Sequence, residues 1–120
     1  MRLSRRQFEA LVADALDAIP EDLARLMDNV AVVVEDWPRP DQLAGHASLF
    51  GLYEGTALTH RSPLSYGGVL PDRITIFRGP LCDACETEEA LAEEIYTTVV
   101  HEVAHHFGIS EERLEELGWG

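Results

Sequence analysis

The sequence predicts an α+β protein, and three features predict it: an amphipathic helix at the N-terminus, two β-rich runs in the middle, and a long helix near the C-terminus. Its 120 residues suit one domain spanning 1–120, because compact domains most often hold roughly 100–150 residues. Hydrophobic residues make up 46% of the chain, enough to build a core rather than stay disordered.

The first helix is expected from Ser4 to Ile19. Phe8, Leu11, Val12, Ala15, Leu16 and Ile19 recur on one helical face, while Glu9, Asp14 and Asp17 lie elsewhere. Ser4 with Gln7 has the spacing of a capping box, and Pro20 ends the run. Glu21 to Met27 predicts a further turn or two of helix. Val30 to Val34 is a β-branched run suited to a buried strand, stopped by Trp37-Pro38-Arg39-Pro40. From Asp41 to Pro71 glycines and prolines break up short apolar pieces, so one short strand is expected there, near Leu49-Phe50-Gly51-Leu52-Tyr53, and otherwise loop. Asp72 to Arg78 alternates, Ile74 and Ile76 on one side and Thr75 and Phe77 on the other, as a strand with two different faces does.

The last long helix is expected from Thr87 to about Phe107. Thr87 is its N-cap, Glu88 and Glu89 sit where the helix dipole favours acids, and Gly108 supplies the stop. A short helix from Ser110 to Leu117 follows, with Leu114 and Leu117 turned inward. On the long helix Ala92, Tyr96, Val99, Val100, Val103 and Phe107 are expected to anchor in the core, with Glu94 and Thr98 on the opposite, polar side.

Composition excludes several functions. With 22 Asp and Glu against 9 Lys and Arg the formal charge is −13, which repels phosphate backbones and anionic lipid, so neither nucleic acid nor a membrane surface is an expected partner. The longest aliphatic run, Val30 to Val34, is far short of the ~20 residues a membrane span needs. Near the N-terminus Glu9, Asp14 and Asp17 interrupt what a signal peptide would need as its apolar stretch. Cys82-Asp83-Ala84-Cys85 is half of a zinc ribbon and lacks the strand-then-helix setting of a redox pair, so the cysteines carry no metal or redox expectation; a cytoplasmic, reducing setting fits.

The chemistry lies in His101-Glu102-Val103-Ala104-His105-His106-Phe107-Gly108-Ile109-Ser110-Glu111. Residues i and i+4 of a helix share a face, so His101 and His105 can hold one zinc ion through two imidazole nitrogens. Glu102 lies about 100° round the helix, off the metal but near its water, where a general base belongs. The bland reading, an exposed helix face that happens to carry these residues, is disfavoured by the helical context and the glycine. His106 points to the helix flank and reads as structural, His46 and His60 as solvated loop histidines, and Tyr53, Tyr66 and Tyr96 as packing residues.

These residues resemble the zincin-like metallopeptidases, and among them the small bacterial minimal zincins. The resemblance is close from Leu70 to Gly120, through PDRITIFRGPL and TVVHEVAHHFGISEERLEELGWG, and looser before. It implies a short mixed sheet with a backing N-terminal helix and a C-terminal active-site helix, a zinc cofactor, and a peptide or protein substrate. Zincins with a distant glutamate ligand place it some twenty or more residues on, but only fifteen residues follow His105. The longer family pattern, with a glycine and then a ligand at its eleventh position, puts Glu111 there. Family members more often have aspartate or histidine at that place, and the methionine turn of the metzincins is absent, since no methionine follows Met27. Glu112, Glu115, His46 and His60 remain alternatives. The reading is zinc-dependent peptide hydrolysis with substrate laid along an edge strand, Arg73 to Arg78, because extended peptides pair readily with such an edge. The alternative is a metal-binding interaction module that no longer hydrolyses efficiently.

Overall fold

Three strands form a mixed sheet that packs against the long C-terminal helix, and the N-terminal helix packs on that same helix. The computed structural model describes residues 1–43, 49–55 and 72–119. In chain order its elements are α1 (Arg5–Asp17), α2 (Glu21–Leu26), β1 (Val30–Glu35), α3 (Pro40–Leu43), β2 (Gly51–Glu54), β3 (Asp72–Phe77), α4 (Arg78–Ala84), α5 (Glu88–His106) and α6 (Glu111–Leu117). His46, His60 and Tyr66 lie outside the described residues.

Local chemistry sets the helix ends. At α1 the Ser4 hydroxyl accepts from the Gln7 N–H while the Gln7 side chain accepts from the Ser4 N–H, the reciprocal capping box expected from the sequence. The helix ends at Asp17, two residues early, yet Ile19 stays in the core. At α5 the Thr87 hydroxyl accepts from the Ala90 N–H. The other end closes with Ile109 N–H donating to Ala104 O (2.8 Å) and Gly108 N–H to His105 O (3.3 Å), with Gly108 at φ +70°: a Schellman motif that only glycine adopts without strain. Ser110 then caps α6, which ends at Gly118 in the same left-handed conformation.

The strand order is β1-β3-β2, β1 parallel to β3 and β2 antiparallel to it. This corrects the placing of an edge at Arg73 to Arg78: β3 is the middle strand, hydrogen-bonded on both sides. Ile74, Thr75, Ile76 and Phe77 are all fully buried, because both sheet faces are covered, so the alternation in its sequence does not mark one wet face. The valine run of β1 behaves oppositely. Only Val34 is buried, since this strand lies at the edge of the described sheet.

α1 packs chiefly on α5, bringing Phe8, Val12 and Ala15 into one cluster with Leu91, Ile95 and Val99. The core face of α5 differs from expectation. Leu91, Ile95, Thr98, Val99, Val100, Val103 and Ala104 are buried, Ala92 and Tyr96 only partly, and Phe107 is 43% exposed. Thr98 goes inward because its hydroxyl is satisfied within the helix, donating to Glu94 O at 2.7 Å. A helix not expected from the sequence, α4, carries Cys82, with Cys85 as its C-cap; both thiols are buried and unpaired.

Candidate metal centre

α5 brings the two predicted ligands together. The rings of His101 and His105 lie 6.5 Å apart between centroids at an angle of 36°. Two imidazoles sharing one zinc at about 2.1 Å from each nitrogen stand roughly 5–5.5 Å apart by centroid, so the pair is about 1 Å wider than a loaded site. Closing that gap asks only for side-chain rotation, and His105 is exposed. The backbone between them is fixed, because Val103 and Ala104 are fully buried. His105 also lies in the last turn of α5, where the negative end of the helix dipole favours a cation. Two imidazole nitrogens on a rigid turn fit the donor chemistry of zinc.

Glu111 is not brought into that pair. It is exposed in the first turn of α6, and among the described residues no group of three His, Cys, Asp or Glu is gathered as a metal site. Cys82 and Cys85 belong to the α4 side of the core, and burial pushes the Cys85 thiol above its ordinary value, first by desolvation and then by Glu94, so it stays protonated and a poor ligand.

Glu102 is half-buried and turned toward the sheet, its Oε1 accepting a hydrogen bond from the Tyr53 backbone N–H at 3.0 Å. Around that contact is a small polar and aromatic cluster. The Tyr53 ring stacks on His106 (centroids 3.8 Å, 16°), and its hydroxyl donates to Asp72 Oδ2 at 2.7 Å. His106 Nε2 lies 3.7 Å from the same carboxylate oxygen, and Phe107 meets both rings edge-on. Burial, with the Asp72 hydrogen bond second, raises the Tyr53 hydroxyl pKa, so it remains a donor. His106 packs on the helix flank as expected. Tyr53 was read as a packing residue, and its link to Glu102 spans 49 positions, which local pattern does not reveal.

β2 meets α5 closely because Gly51 has no side chain. A Cβ there would stand 2.6 Å from Thr98 Cγ2. Two residues on, on the same strand face, Tyr53 fills the space toward the end of the helix.

A family model described as zincin-like metallopeptidase matches residues 27–119, which leaves α1 and α2 outside the match. The solved structure of a conserved hypothetical protein from Thermus thermophilus aligns with a TM-score of 0.59 and 24% sequence identity, covering 88% of this chain and 94% of that one, a likeness of fold. No curated protein matches the chain. No helix among the described residues is long and apolar enough to cross a membrane.

Proposed function

The chain belongs to the zincin-like metallopeptidase family, and from that premise we propose that it hydrolyses peptide bonds, with one zinc held by His101 and His105 and with Glu102 as general base. The observation that carries the reading is the arrangement on one turn of α5: two imidazoles on a shared face, with a carboxylate beside them tethered to β2. His101 and His105 would hold the zinc, which would supply Lewis acidity that lowers the pKa of a water toward ~7 and polarises a carbonyl. Glu102 would accept a proton from an attacking water and return it to the departing amine as the C–O bond forms and the C–N bond breaks, with no covalent enzyme intermediate. The Tyr53 N–H holds one oxygen of the carboxylate, leaving the other to exchange the proton. An extended peptide would meet β2 and not β3, because β3 is paired on both sides. For the third ligand we propose Glu111, whose position follows the turn at Gly108. Unpaired Cys82 and Cys85 support a reducing, cytoplasmic setting.

The test is digestion of casein or a peptide library by the zinc-loaded protein, with and without chelator, beside Glu102→Gln. Hydrolysis that chelator abolishes and zinc restores is expected of the parent, and none from Glu102→Gln although it keeps its zinc. Unchanged turnover in that variant would remove Glu102 from the mechanism. One observation favours the other reading, a metal-binding interaction module without efficient hydrolysis: among the described residues no third ligand is gathered beside the two histidines. A protein that binds about one zinc per chain but cleaves nothing supports that alternative.

A further inference from the structure

We propose that Tyr53 is a positioning residue of this site: its backbone N–H holds Glu102, and its ring fixes where that N–H stands. The proposal rests on the reading of Glu102 as the base, and its argument begins with strand register. Phe77 N–H donates to Phe50 O at 2.9 Å, so Phe50 and Phe77 form a hydrogen-bonded pair of the antiparallel ladder. With Gly51 opposite Ile76 and Tyr53 opposite Ile74, the alternation of such a ladder turns the N–H groups of Gly51 and Tyr53 away from β3. The sheet therefore does not use the Tyr53 amide, and Glu102 takes it.

The amide is useful only if β2 stands at a fixed height over α5, and the Tyr53 side chain sets that height. Its ring is stacked on His106 from α5, while its hydroxyl is bonded to Asp72, whose own N–H donates to Asn29 O at 3.1 Å in front of β1. One residue thus ties the last turn of α5 to the start of β3. That turn carries His105, and His101 and Glu102 lie in the turn before it, so displacing the ring moves the base relative to the strand.

Amide hydrogen exchange at residue 53, followed by NMR on the zinc-loaded full chain and corrected for intrinsic rates, reads this contact without any assay of hydrolysis. Glu102→Ala should speed exchange there at least about tenfold, the weight of one hydrogen bond to a charged acceptor, and move the amide proton upfield. Glu102→Gln keeps an acceptor and should stay within a few-fold of the parent. Tyr53→Ala should match Glu102→Ala at that amide, while Tyr53→Phe, which keeps the stack, should retain most of the protection. Core amides such as those of Leu91 and Ile95 should be unaffected throughout, which a general loss of structure would not allow, and zinc affinity should stay within about threefold of the parent. Unchanged exchange at residue 53 in Glu102→Ala, or parent-like protection in Tyr53→Ala, would overturn the proposal. A parent that cleaves no substrate would instead refute the proposed function, leaving the exchange result to stand by itself.

Discussion

Gly51→Ala probes the contact that brings β2 onto the site helix. The added Cβ would lie 2.6 Å from Thr98 Cγ2, 3.1 Å from Thr75 O and 3.4 Å from Ile76 Cδ1. Packed carbon atoms rest at about 3.5–4.0 Å, so the Thr98 methyl is about 1 Å too close. Thr98 yields poorly: it is β-branched, 8% exposed, and held by its hydroxyl bond to Glu94 O. Overpacking of this kind costs about 1–3 kcal/mol, and alanine's smaller unfolded-state entropy returns about 0.4–1 kcal/mol. The expected net loss is about 1–2 kcal/mol, or about 3–8 °C in the unfolding midpoint of a domain this size. Urea denaturation of the parent, Gly51→Ala, Thr98→Ser and the double variant closes a cycle. Because Thr98→Ser removes the obstructing methyl and keeps the hydroxyl, Gly51→Ala should cost at least about 1 kcal/mol less in that background. An equal cost in both backgrounds, or a stabilised Gly51→Ala, would refute the argument.

Three further outcomes are expected. A Cys82→Ser, Cys85→Ser double variant should bind zinc as the parent does, measured by competition with a chromogenic chelator. Burial raises the Cys85 thiol above its ordinary value of 9.0, so iodoacetamide should label native protein more slowly than unfolded protein at pH 8; the stability from keeping this thiol neutral is present below the unfolded pKa and is lost as pH rises through the folded one. Gly108→Ala meets no atom within 4 Å but forces a left-handed conformation on alanine, and should cost about 1–2 kcal/mol by chemical denaturation. Glu111→Ala should weaken zinc binding well beyond Glu112→Ala or Glu115→Ala; equal affinities for all three would move the third ligand elsewhere.

What was legible in the sequence was what local chemistry specifies. The Ser4 and Thr87 caps, the turn at Gly108 and the i, i+4 histidines each depend on neighbours within a few residues, and the structure places each where the pattern put it. Pairing depends on distant residues, so β3 was read as an edge when it is the centre, and β1 as buried when it is half-exposed. α4 hid behind Gly79 and Pro80, which look like breakers. Proline is tolerated in a first helical turn, and glycine is needed because the Trp37 indole lies 2.3 Å from where a Cβ would be. The tether of Glu102 to Tyr53 joins a side chain to a backbone amide, and no residue type at position 53 announces a backbone amide.

These failures and successes bear on why the site is built on this helix. α5 carries core residues, the two imidazoles and Glu102 within a few turns, so the proposed ligands His101 and His105 gain rigidity from Val100, Val103 and Ala104 without a scaffold of their own. A helix anchored only by its core face can still rock about its axis, which would swing Glu102 relative to the sheet. β2 opposes that motion from the other side, through the close approach at Gly51 and the stack of Tyr53 on His106. Core and strand contacts therefore constrain different movements of the same turn. Substitutions at Val103 should loosen both histidines together, whereas substitutions at Gly51 or Tyr53 should displace Glu102 while largely sparing zinc affinity.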